Sequence, residues 1–400
     1  MKKVATRAAV PAFEVMTILD RVAQLRAAGR DVISLCAGEP SGGAPDDVHR
    51  LAAQAHTARL DLGYTSALGI RPLREALAAH YRSWYGLDVA PEQVAVTTGS
   101  SGAFVLSFLA AFDAGDRVAL ARPGYPAYRN ILRALGCEVV EVDAGPADRF
   151  QPTPAVLDAV VAASGPLDGL VLASPANPTG TMVSRSELAG LTAWCTRNGV
   201  RLVSDEIYHG ITYPGDPAAA DARGVCAWEL DRSALVVSSF SKYWGMTGWR
   251  LGWALMPEDL ATSIDALAGN VALCPPAPAQ LAAVGAFTAD AYAQAEARVA
   301  EFARTREVLL GQVDRLGWGP VAPADGAFYL YGDLGDRLGP FADSGAWCRA
   351  LLEEQGVAVV PGGDFDAVGG GRYVRLSFAA GAEAVTAAVD RIVAFQEAHG

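Results

Sequence analysis

From about residue 94 onward, short apolar runs alternate with stretches of helical periodicity. Residues 94–97, 118–121, 170–173, 200–204 and 235–238 read as strands, and each ends in a cluster of Gly, Pro, Ser or Asp that marks its exit. Between them, Ser184-Arg185-Ser186-Glu187 has the spacing of a capping box and opens a helix that stops near Asn198-Gly199. Arg71-Pro72 opens another, which ends near Gly86. Residues 296–316 read as one long helix. After Gly317 the pattern changes to strand-like pieces at 327–331, 357–360 and 373–378 with helices around them, while Ala218-Ala219-Ala220 and Gly369-Gly370-Gly371 read as loops. This is an α/β pattern: an open, mostly parallel sheet between helices, followed by a smaller α+β unit. The expected division is an N-terminal segment 1–45 contributing to the small domain, a large domain 46–290 and a small C-terminal domain 291–400.

Composition agrees with two units, because 400 residues at 51% hydrophobic exceed what one core uses comfortably. The longest apolar stretch, 103–112, is well short of the roughly 18 residues that a membrane span needs. The N-terminal apolar stretch is too short for a secretory signal, so a cytoplasmic location is expected. A formal charge of −12 disfavours nucleic acid and anionic membranes, which leaves small molecules as the expected partners. Cys36, Cys137, Cys195, Cys226, Cys274 and Cys348 are scattered without metal-site spacing, so no metal is expected. Among the 32 Lys and Arg residues only Lys2, Lys3 and Lys242 are lysine. A lone internal lysine among arginines marks a position where guanidinium cannot replace an amine, and imine chemistry is such a position.

In an open α/β sheet ligands collect beyond the carboxyl ends of the strands, so the polar clusters at the strand exits should converge. Thr98-Gly99-Ser100-Ser101-Gly102 fits a phosphate-binding crown at a helix N-terminus, or equally a plain turn and cap. Tyr125, in Pro123-Gly124-Tyr125-Pro126, could stack on a flat heterocycle or simply pack in a rigid turn. Asn177-Pro178-Thr179-Gly180 fixes an amide in a tight turn. Asp205, three residues before Tyr208, ends an apolar strand: it either opens an exposed acidic loop or is a buried carboxylate that requires a cationic partner such as a protonated pyridine nitrogen. Ser239, three residues before Lys242, and Arg250, eight beyond it, supply hydroxyl and guanidinium donors for a phosphate whose aldehyde end is held at the lysine. Arg375, in an apolar strand, serves either carboxylate recognition or a structural ion pair.

Asn177 to Gly180, Asp205 to Tyr208, Ser239 to Lys242, Arg250 and Arg375, in this order, resemble the class I/II aminotransferases of fold type I. The likeness extends to Leu35-Cys36-Ala37-Gly38-Glu39-Pro40, to Tyr64 ahead of Gly69-Ile70-Arg71-Pro72, and to Pro361-Gly362-Gly363-Asp364-Phe365. The resemblance implies pyridoxal 5'-phosphate (PLP) carried as an imine on Lys242. Asp205 then pairs with the pyridine nitrogen, Asn177 and Tyr208 contact the phenolate oxygen, and Tyr125 stacks on the ring. Ser100, Ser101, Ser239 and Arg250 hold the phosphate together with Tyr64 of a neighbouring subunit, in a homodimer with shared active sites. Gly38, Asn177 and Arg375 receive the substrate carboxylate. The implied substrates are an amino acid and a 2-oxo acid. Two departures bear on specificity. Ser41-Gly42-Gly43 stands where many relatives have Asp-Phe, and residues 268–280, where dicarboxylate-specific relatives place a second arginine, contain no cation, so a neutral or aromatic donor is expected. Carbon-sulfur lyases, cyclopropane-forming synthases and PLP-dependent oxidases share this cradle and are the rival readings. A PLP-sensing regulator fits the acidic charge poorly.

Overall fold

The computed structural model describes residues 2–36, 38–213 and 223–400; Ala37 and the Ala218-Ala219-Ala220 stretch lie outside them. The strands in chain order are β1 (Ile33–Ser34), β2 (Val94–Thr97), β3 (Arg117–Arg122), β4 (Glu138–Asp143), β5 (Gly169–Ala173), β6 (Arg201–Asp205), β7 (Leu235–Ser239), β8 (Gly252–Leu255), β9 (Tyr329–Asp333), β10 (Val357–Ala358), β11 (Val360–Pro361) and β12 (Tyr373–Ser377). Seven of them form one sheet in the order β2-β8-β7-β6-β5-β3-β4. Neighbours from β7 to β4 run parallel, and β8 is antiparallel to both β7 and β2. Its faces are both covered: Leu170 and Leu172 of β5 enter one core cluster while Val171 enters another. Alternation on a doubly buried strand has this outcome. The chain passes from β3 outward to β4 and then returns to place β5 on the other side of β3. The exits of β3 and β5 therefore flank a topological switch point, where a crevice opens.

All five strands expected in this sheet are present, with ends shifted by a residue at most. Two were not anticipated. In β4, Glu138-Val139-Val140-Glu141-Val142-Asp143 carries three acids because it is a half-exposed edge strand; β8 is only four residues long and sits between Gly252 and Pro257.

The helix Arg185–Asn198 begins as expected. Ser184 accepts from the Glu187 N–H, the Glu187 side chain returns to the Ser184 N–H at 2.6 Å, and Gly199 closes the other end at φ +67°. Arg71–Tyr85 ends likewise on left-handed Gly86. The long helix differs from expectation. It runs Ala289–Leu310, starting where the Thr288 hydroxyl caps the Ala291 N–H, and it stops before Gly311-Gln312; Val313–Leu316 is a separate turn. Residues 357–360 are also not one strand: β10 pairs in parallel with β1, whereas β11 pairs antiparallel with β12, which in turn pairs with β9. Among the described residues no helix is long and apolar enough to cross a membrane.

Candidate active site

Beyond the exits of β5, β6 and β7 lies a cavity of about 410 Å³, within the size range of cofactor sites. Its wall includes Gly38, Ser100, Ser101, Tyr125, Asn177, Asp205, Tyr208, Lys242, Arg250 and Arg375. Residues from seven separate stretches of chain thus converge as the strand-exit argument requires. Two of the expected residues are elsewhere. Ser239 is buried behind the wall, its hydroxyl donating to the Leu251 carbonyl at 3.2 Å and accepting from the Ser241 N–H at 3.0 Å, and Ser241 lines the cavity in its place. Tyr64 is 85% exposed and does not line this chain's own cavity.

Lys242 Nζ donates to the Gly38 carbonyl at 2.5 Å. Burial, helped by the nearby Arg375 charge, lowers its pKa to about 8, so a substantial fraction of the amine is neutral near physiological pH. Asp205, the last residue of β6, is buried; its carboxyl accepts from the Tyr128 hydroxyl and from the Ile207 N–H at 3.1 Å. Burial outweighs those two bonds and raises its pKa to about 6. A carboxylate held this way gains from a cation placed in the cavity, which is what a pyridinium nitrogen provides.

Another part of the cavity wall suits an anion. Gly99 begins the 13-residue helix Gly99–Ala111 at φ +67°, and Ser100 and Ser101 follow it at the mouth. A Cβ on Gly99 would lie 2.3 Å from Arg250 Nη2, so the glycine lets the guanidinium rest across the helix start. Backbone N–H groups, two hydroxyls and a guanidinium together suit a phosphate dianion. The donor set therefore fits both polar groups of PLP, with Lys242 near each of them.

Arg375, in the middle of β12, is 4% exposed. Its Nη1 donates to Asn177 Oδ1 at 2.9 Å and its Nη2 to the Cys36 carbonyl at 2.7 Å, while Nε is buried with no partner among the described residues. Among the described residues no acid pairs with it, which speaks against the structural ion pair and leaves the guanidinium able to receive a carboxylate. Because its oxygen is engaged by Arg375, the Asn177 amide has its NH2 left to donate. Gly42 and Gly43 adopt φ of +89° and +73°, and the Gly43 carbonyl accepts from Arg298 Nη2 at 2.8 Å.

Several wall residues had not been singled out: Tyr128, Tyr329, Thr247 and, from the helix Glu14–Ala27, Val15, Met16 and Leu19. Tyr128 lies one helical turn after Tyr125, and that spacing was the available signal. Nothing local marks the other residues, because they reach the cavity through packing between segments distant in sequence.

A family model for aminotransferase class I and II matches residues 30–392. The valine–pyruvate aminotransferase of Mycobacterium tuberculosis is 50% identical to this chain over 390 residues, covering 98% of the chain and 97% of the relative. An aspartate/prephenate aminotransferase of Thermus thermophilus is 35% identical over 370 residues, 92% of each. Among solved structures, an aminotransferase from Mycobacterium tuberculosis superposes with a TM-score of 0.95 at 49% identity over the full length of both chains. The Thermus thermophilus aspartate aminotransferase with maleate gives 0.89 at 32%, covering 99% of this chain and all of the other.

Proposed function

This chain belongs to the class I and II aminotransferases, so it transfers an amino group from an amino acid to a 2-oxo acid, and on that premise we propose that it does so with PLP on Lys242 and prefers a neutral aliphatic donor. The observation that carries the cofactor reading is the amine of Lys242, its pKa lowered by burial, near both buried Asp205 and the Gly99–Arg250 anion site. When bound, PLP supplies an electron sink for the bonds at the substrate's Cα.

The chain's own residues have separable roles in this reading. Asp205 would hold the ring nitrogen's proton. Tyr208 and the Asn177 amide would donate to the ring oxygen, and Tyr125 would pack on the ring. Ser100, Ser101 and Arg250 grip the phosphate, with Ser239 supporting the loop behind them. Arg375 and Gly38 fix the substrate carboxylate, which orients the Cα–H bond. Lys242 Nζ, with its lowered pKa, would be the base that holds and moves the substrate's Cα proton. Tyr64, too exposed to serve its own cavity, completes the phosphate site of a second copy, so the working form is a homodimer.

The lining of the cavity supports the substrate reading. Val15, Met16, Leu19 and Ile131 contribute apolar surface, and among the described lining residues the cations are Lys242, Arg250 and Arg375, all with other tasks. A branched aliphatic side chain fits this surface, and a second carboxylate finds no partner on it. Valine with pyruvate, the pair in the name of the 50%-identical relative, is the expected reaction. Initial rates with pyruvate and L-valine, L-leucine, L-phenylalanine or L-aspartate test it. A kcat/KM for aspartate above that for valine overturns the substrate assignment.

A further inference from the structure

Tyr329 stands where three parts of the site meet. It opens β9 opposite Ser377, while Arg375 lies opposite Tyr331. Diagonal neighbours on one face of an antiparallel pair are within reach of long side chains, and the Arg375 guanidinium sits 4.4 Å from the centroid of the Tyr329 ring. The Tyr329 hydroxyl is 2.8 Å from the Tyr208 hydroxyl, and the two rings meet edge to face. A Cβ on Gly38 would lie 3.1 Å from the same hydroxyl. The residue is fully buried from bulk solvent, although it faces the cavity. Phenylalanine would provide the same ring beneath Arg375, so packing alone does not account for the oxygen.

We propose that Tyr329 is a positioning residue that couples the hydroxyl of Tyr208 to the guanidinium of Arg375, linking the cofactor contact to the substrate-carboxylate contact. This rests on the roles given above to Tyr208 and Arg375. Its hydroxyl holds the rotor of Tyr208: when Tyr329 donates to Tyr208, the Tyr208 proton points to the cofactor's ring oxygen rather than back to the protein. Its ring face fixes the plane of the guanidinium that orients the substrate.

The two functions separate by substitution. Tyr329→Phe keeps the ring and removes the hydroxyl; it is expected to lower kcat for L-valine with pyruvate about fivefold, to weaken PLP binding about threefold, and to leave KM within about twofold. Tyr208→Phe acts on the same bond, so Tyr329→Phe added to it should produce no further loss in kcat or in PLP affinity, the latter read by quenching of apoprotein tryptophan fluorescence. Tyr329→Leu also removes the ring face and is expected to raise KM for valine about tenfold. Effects of the two phenylalanine variants that multiply, or a Tyr329→Phe enzyme equal to wild type in both readouts, overturn the proposal. If Tyr329→Leu does not fold, the phenylalanine cycle decides alone. Wild-type protein that neither binds PLP nor transaminates fails earlier, and then the reading of the whole site falls with it.

Discussion

At the scale of single residues, burial is what changes Lys242 and Asp205. Removing water disfavours the charged amine and the charged carboxyl alike, and the proposed cofactor would bring a partner to each. Only the neutral amine attacks an aldehyde. Capture of PLP by apoprotein, followed as growth of the visible absorption band, should therefore accelerate about tenfold per pH unit below about 8 and level off above it. A rate that keeps rising about tenfold per pH unit well above pH 8, as for an ordinary lysine, contradicts a lysine lowered by burial. Lys242→Ala should lose the borohydride-stable label and at least about a thousandfold in transamination, measured by peptide mapping and by initial rate.

At the scale of elements, caps and tight glycine contacts do two different jobs. The box at Ser184 starts a helix remote from the cavity, so Ser184→Ala should cost about 1 kcal/mol in urea unfolding and leave kcat unchanged. Gly99 instead serves the site. A Cβ there would press on Arg250 from a left-handed position, so Gly99→Ala should weaken PLP binding at least about tenfold by equilibrium titration. Wild-type affinity in that variant would mean that Arg250 does not hold the phosphate.

For the whole molecule, the decisive question is whether one chain suffices. Tyr64 is exposed in its own chain yet belongs with the phosphate contacts in the proposed dimer. Lys242→Ala and Tyr64→Ala damage different sites if Tyr64 crosses between subunits. Mixing the two inactive variants and allowing exchange should then restore about a quarter of wild-type activity, because half of the dimers carry one intact site out of two. Absence of recovery after verified exchange rules out sharing.

Much of this was legible in the residues themselves. The five expected strands, the Ser184 box and the Gly86 stop were set by local apolar runs, capping spacing and left-handed glycines, all of which act over a few residues. The lone Lys242 and the polar strand exits pointed to the site because parallel strands deliver their ends to one side of a sheet. What the sequence could not decide was which distant segments meet. That Ser241 rather than Ser239 lines the wall, that Tyr128 serves Asp205, that Tyr329 bridges Tyr208 and Arg375, and that Met16 and Leu19 line the same cavity all depend on packing between elements. Side-chain alternation fixes which face a residue is on, but only the tertiary arrangement fixes what that face meets.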